Sequence, residues 1–389
     1  MYKPYIFKLN QNKDTKLDFK VVLSTIPNQS LFSLGYHYYL DRTKNDLINY
    51  TKVIKSENNF YYVMNPFENS ISNYDDNLNK LAHIYLNIDK NTSISNSLYK
   101  MWEILFMFDI GSQKECKYLS YDKDNSSFTK AVSYYRSKFG LESKNDKTFN
   151  YTTINYDKVK KDIGKFNANL ITCNMVSSQP NIYQEQESYK LILSEIIFAL
   201  KFQEYQGNFV LRIFDTFTHI TLKMIYLLTI LYEDVYLHKP YYSRPTSSEK
   251  YIICKKFKFH QDDKNLNIYI NGCQNMLDNI TSHVFDILPN LELSQDYLNN
   301  FKLSNIKLVN PQQIMINLII TYIKENNYYG DKFQMHRDAQ ISATKWWSRM
   351  FFPPSKNLYE SNKEEVSKLI ETVINKNNID QTEFNQHII

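Results

Sequence analysis

The sequence predicts a doubly wound α/β domain, with helices on both faces of a mostly parallel sheet. Three observations carry this expectation. Short strand-like runs alternate with helical patterns from about residue 95 to residue 260, so the connections between strands are crossovers. The run "ANLITCNM" (168–175) is apolar and of buried-strand length. The last two strand-like runs, 234–240 and 249–259, lie close enough for a hairpin-like antiparallel edge.

The elements follow in order. Ser95, Asn96 and Ser97 offer N-caps to a helix whose apolar face is Leu98, Met101, Trp102, Leu105 and Phe106. "KYLSY" (117–121) reads as a strand, 127–139 as a helix and 149–156 as a second strand. After the strand at 168–175, the segment 184–202 repeats apolar residues at Tyr189, Leu193, Ile196, Ile197 and Leu200, one face of a helix. A strand at 208–214, a helix at 217–231 and the two closing strands complete the domain. Residues 1–94 read as an N-terminal α/β extension of short strands and polar loops, and 95–265 as the domain itself. Residues 266–389 read as a helical extension, with helices at 310–327 and 331–352, a stop at Pro353 and Pro354, then a short exposed helix and a tail.

Composition narrows the function classes. Hydrophobic residues make up 43% of the 389 and aromatic residues 15%, which excludes a disordered chain. Heavy use of Lys, Asn, Ile and Tyr beside only 7 Gly and 10 Pro looks like nucleotide bias, so single tyrosines and asparagines carry little weight. The net charge of +5 permits a local basic surface for nucleic acid but is far from a polycationic tail. Cys116, Cys173, Cys254 and Cys273 form no CxxC pair, so reduced thiols in an intracellular protein are expected and no metal site is implied. No signal-like apolar core opens the chain, and the apolar stretch "HITLKMIYLLTILY" is too short to span a bilayer and carries Lys223. A soluble, cytoplasmic protein without a membrane partner is expected.

Ligands of doubly wound sheets bind outside the carboxyl ends of the strands. Four residues stand at such places: Lys100 on the leading helix, Asn174 after "NLITC", Arg212 in "FVLRIF" and Glu249 after "SRPTSS". An arginine in an otherwise apolar strand needs a partner to offset its burial, and Glu249 is a natural one, so an Arg212–Glu249 ion pair is expected. In "HKPYYSRPTSSEKY" (238–251) two prolines stiffen a turn that displays Lys239 and Arg244, either toward RNA phosphates or as a solvated basic turn. Trp346 and Trp347 offer a stacking surface for a base, or more simply pack ahead of the Pro-Pro stop.

Two segments carry a family resemblance. "LILSEIIFALKFQEYQGNFVLRIFD" and "YLHKPYYSRPTSSEKYIICKKFK" resemble the FtsJ-like ribose 2′-O-methyltransferases, in particular those of large cytoplasmic DNA viruses. The resemblance spans roughly residues 95–260 and implies a Rossmann-like S-adenosylmethionine methyltransferase fold. It also implies a catalytic set of Lys, Asp, Lys and Glu, in which a lysine held by carboxylates takes or orients the proton of a ribose hydroxyl. Lys100 matches the first lysine and Glu249 the glutamate, whereas Asn174 stands where the aspartate is expected and Arg212 where the central lysine is expected. A guanidinium keeps its proton at any working pH, so Arg212 can clamp an oxygen but cannot act as a base.

The family's first strand ends in a glycine-rich turn against which the cofactor lies. Here that place reads "DKDNSSF" (122–128), without glycine, and Asp122, Asp124 and Ser126 stand in the cofactor-binding positions. The resemblance implies RNA as partner, capped mRNA among the forms it takes, a protein partner in a capping or transcription complex, and the host cytoplasm or virion as location. Two readings follow. One is a catalytically degenerate domain without cofactor, an RNA-binding or structural subunit; the other is an active S-adenosylmethionine-dependent cap 2′-O-methyltransferase with an altered site.

Overall fold

Period-two alternation decides how the central sheet is covered. Along β3 (Lys117–Tyr121), Tyr118 enters the core on one face while Leu119 and Tyr121 enter the core on the other. β6 (Gln203–Ile213) divides in the same way, Val210 to one side and Phe209 and Leu211 to the other. In this computed structural model the described residues are 3–9, 17–27, 34–51, 78–122, 127–164, 166–175, 183–325 and 330–387.

The sheet is completed by β1 (Tyr5–Leu9), β4 (Lys147–Tyr151), β5 (Ala168–Cys173), β7 (Tyr232–Lys239) and β8 (Lys250–Phe257). Its order is β1-β7-β8-β6-β5-β3-β4. β4, β3, β5 and β6 run parallel; β8 lies antiparallel between β6 and β7, and β1 pairs antiparallel with β7. The mixed α/β class, the mostly parallel sheet and the antiparallel pair of closing strands are therefore as the alternation predicts.

Helices cover both faces. On one lie α7 (Tyr189–Phe202), α8 (His219–Leu231) and α9 (Lys264–Asn279), whose Ile196, Leu222 and Leu266 share the core with Ile171 and Phe209. On the other lie α3 (Asn96–Phe108) and α4 (Ser127–Lys138), joined by α11 (Asp331–Phe351) through Trp347 and Phe351. α3 is buried along nearly its whole length, from Leu98 to Phe108, which is why its two charged residues, Lys100 and Glu103, must find partners inside.

The structure departs from the sequence reading at several places. α5 (Tyr156–Ile163) follows β4 at once, started by Asn155, whose Oδ1 accepts from Lys158 N at 3.0 Å. The single helix expected at 184–202 is α6 (Gln184–Glu187) and α7, divided at Ser188. The N-terminal region contains α1 (Leu34–Thr51) and α2 (Leu78–Leu86) besides strands, and β2 (Val21–Ser24) pairs antiparallel with β9 (His283–Ile287) in a second sheet. α10 (Gln295–Glu325) runs through Pro311 instead of starting beside it. Proline removes one helical hydrogen bond there, and buried Phe301 and Leu308 before it and Ile316 after it hold the helix by packing.

The end of the chain differs most. Where a short exposed helix and a tail are expected, α12 runs from Lys356 to His387. Its apolar positions are sparse, but Tyr359 and Val366 are buried, Asn377 Nδ2 donates to Ile6 O at 2.7 Å, and Lys307 Nζ meets Asp380 Oδ2 at 2.5 Å. Tertiary contacts of this kind sustain helices that local preference does not. All four cysteines are free and buried, and no described helix is long and apolar enough to cross a membrane.

Candidate functional site

The four strand-end residues meet at the carboxyl end of the parallel strands. α3 presents Lys100 inward, and its Nζ donates to Glu249 Oε2 at 2.6 Å. Arg212 of β6 lies opposite Tyr251 of β8, which brings its Nε within 3.1 Å of Glu249 Oε1, the expected ion pair. Tyr251 OH donates to the same oxygen at 2.6 Å. On its other side Arg212 Nη1 donates to Asn174 Oδ1 at 3.2 Å, and Asn174 Nδ2 donates to Asp122 Oδ1 at 3.1 Å. A continuous polar chain thus runs Lys100, Glu249, Arg212, Asn174, Asp122. Sequence reasoning named every member, and of the contacts between them the Arg212–Glu249 pair.

Electrostatics follow from this arrangement. Burial by itself raises the Glu249 carboxyl, but the adjacent Lys100 and Arg212 charges and the bonds from Lys100 and Tyr251 outweigh it and bring the group down to about 2. The folded value lies below the ordinary 4.5, so the cluster stabilises the fold above about pH 4.5 and loses that contribution as pH falls toward 2. The contribution is roughly 3 kcal/mol. Acid titration followed by circular dichroism should show a steeper loss of stability across that window in the wild type than in Glu249→Gln, where the titrating group is gone.

Residues 112–257, which hold three of the four strand-end positions, match the model of FtsJ-like methyltransferases. The chain carries an FtsJ-like methyltransferase domain. Cap-specific mRNA (nucleoside-2′-O-)-methyltransferase 1 of Caenorhabditis elegans is 32% identical over 178 residues, 44% of this chain and 19% of that protein. The protein of the same name from Homo sapiens is 36% identical over 115 residues, 29% of this chain and 14% of its own length. Another relative, the inactive cap-specific mRNA (nucleoside-2′-O-)-methyltransferase 1B of Caenorhabditis briggsae, is 40% identical over 80 residues, 21% of this chain and 9% of that one. The chain thus spans less than a fifth of the length of these curated relatives.

S-Adenosylmethionine is the methyl donor that such a domain implies. Asp122, at the start of the cofactor loop, is wholly enclosed and turned toward Asn174, and its backbone N donates to Tyr151 O at 3.0 Å. The cavity lined by Met175, Glu195, Arg212 and Asp215 measures about 10 Å³, the room of one water. Asp124 and Ser126 lie outside the described residues.

The turn between β7 and β8 of the FtsJ-like domain is held from several sides. Glu103 of α3 accepts from Tyr241 N at 2.6 Å and Tyr242 N at 3.4 Å, while Gln312 of α10 donates to Thr246 O at 2.9 Å. Lys44 of α1 donates to Ser248 Oγ at 2.8 Å. Burial pushes the Glu103 carboxyl up to about 8 against these donors and the Trp347 indole. Lys239 does not point outward. Its Nζ donates to Ser247 O at 2.5 Å and Glu249 O at 3.3 Å, because the inward carbonyls of the turn need a donor and the lysine stem reaches them. Burial and the neighbouring Lys250 charge bring the Lys239 amine down to about 7. Arg244 is half-buried in the turn, and its backbone O accepts from Ser247 N at 3.0 Å. Trp347 is fully buried, with its Nε1 donating to Glu103 Oε2 at 3.2 Å, so it packs; Trp346 stands partly buried against Tyr241.

Proposed function

We propose that this chain is a catalytically silent FtsJ-like domain that binds RNA as a subunit of a viral mRNA capping or transcription assembly. The observation that carries the reading is the middle of the polar chain, where Arg212 donates to Asn174, two residues that the sequence reading sets where the family's central lysine and aspartate are expected. Arg212 cannot release its proton, so it cannot take one from a ribose hydroxyl. The enclosed Asp122 and the one-water cavity beside Arg212 support the absence of a methyl donor. That relatives of this domain are named for capped mRNA, and that one is named inactive, supports RNA as the ligand of a silent copy. Arg244 is the basic residue of the stiff turn assigned to phosphate, since the Lys239 ammonium is committed to backbone carbonyls.

One observation favours the active alternative: the Lys100–Glu249 half of the family's set is kept at 2.6 Å. In that reading Lys100 orients the ribose hydroxyl and the domain is a cap 2′-O-methyltransferase. A calorimetric titration with S-adenosylmethionine decides between the two. The silent domain gives no binding heat, and transfers no radiolabelled methyl group to a capped transcript under conditions in which an active cap methyltransferase does. It still retains the capped transcript in a filter assay, with affinity falling several-fold in Arg244→Ala. Micromolar binding of the methyl donor, or methyl transfer abolished by Lys100→Ala, establishes the active reading instead.

A further inference from the structure

Two cations, Lys100 and Arg212, converge on one carboxylate, Glu249, so this buried cluster holds one positive charge in excess. Glu195 of α7 also lines the cavity beside Arg212, and burial holds its carboxyl well above the usual range. Asp215 lies beside Lys44 at 3.5 Å and is further balanced by Lys250. The remaining buried carboxylate on the polar chain is Asp122, one hydrogen bond beyond Asn174.

The sheet itself brings these two residues together. β3 and β5 are parallel neighbours with Tyr121 beside Cys173, so residues 122 and 174 leave the sheet side by side. Asn174 N donates to Tyr121 O at 2.9 Å and Asp122 N to Tyr151 O at 3.0 Å, which pegs both backbones. An ionised aspartate only accepts hydrogen bonds and an arginine only donates them. An amide placed between the two satisfies both in a single orientation, with its oxygen toward Arg212 and its nitrogen toward Asp122, and this is the orientation found.

We propose that Asp122 is the positioning residue of Arg212: through the Asn174 amide, its carboxyl oxygen aims the guanidinium. A carboxyl group is thus present, one strand across from position 174. Asp122, Asn174 and Arg212 form a matched set, and an aspartate at 174 alone would set two carboxylates against each other. The inference goes beyond the silent reading and holds whether or not the domain transfers methyl groups.

An exchange of the two side chains tests it in the full chain, with no RNA or methyl donor present. Asp122→Asn and Asn174→Asp are each expected to lower the melting temperature by several degrees. The double variant, in which amide and carboxylate trade places, should recover at least half of the summed loss. The second readout is the Arg212 Nε–Hε resonance, assigned by its disappearance in Arg212→Lys. It should move in Asp122→Asn and return toward its wild-type position in the double variant. Additive losses together with an unmoved arginine resonance, as a merely structural Asp122 would give, overturn the proposal. If a single variant is too unstable to purify, folding of the double variant supports the proposal and its failure to fold overturns it.

Discussion

Glu249→Ala should lower the melting temperature by about 5 °C. The side chain joins α3, β6 and β8 at one point, accepting from Lys100 at 2.6 Å and Tyr251 at 2.6 Å and meeting Arg212 at 3.1 Å. Removing one member of a buried ion pair costs about 3–5 kcal/mol because the opposite charge is left without compensation. Here two cations are left, with side-chain exposures of only 11% for Lys100 and 15% for Arg212. In a protein of this size each kcal/mol corresponds to roughly 1–2 °C. Differential scanning fluorimetry measures the effect directly, and melting within 2 °C of the wild type would show that the cluster does not depend on its carboxylate. Arg212→Ala tests the other side, with a smaller expected loss because Lys100 still satisfies Glu249.

Trp347→Ala should destabilise the protein by about 3–5 kcal/mol, the usual cost of deleting a buried tryptophan. Trp347 is fully buried among Tyr99, Tyr242, Phe351 and Phe352 and donates to Glu103 Oε2, so the change opens a cavity and removes a donor from a buried carboxyl. Because this contact ties α11 to α3 and to the 241–242 backbone, limited proteolysis should cut the C-terminal helices of the variant well before the sheet. Trp347→Phe keeps most of the packing and should lose only a fraction as much. Equal protease resistance in Trp347→Ala and the wild type would mean that the helices are held elsewhere.

The sheet was legible wherever side-chain alternation met a clear turn. β3 is found over the predicted residues 117–121, and β7 and β8 begin and end within two residues of the expected runs. Elements that depend on distant partners were not legible. α12 has few apolar positions and is held by contacts to β1 and α10. α9 buries only Leu266, Cys273 and Met276, too thin a stripe to announce a helix. At the site, residue types and positions could be read, and the Arg212–Glu249 pair followed from the cost of burying an arginine. The inward turn of Lys239 could not be foreseen, because it depends on which way two carbonyls of the turn point. The Asp122–Asn174 bond was equally hidden, since it requires knowing that β3 and β5 are adjacent.

The hydrogen bond from Asn377 to Ile6 joins positions 371 apart in sequence, and it sets an order of events during synthesis. β1 is made before its sheet partner β7, and the helix that packs beside it is made later still. Until then the outermost strand is a row of unpaired backbone groups, the kind of edge on which nascent chains associate. Contacts that close so long a loop form late, since they must overcome the chain entropy of everything between them. β1 therefore waits until residue 377 has been made before that bond can hold it in place.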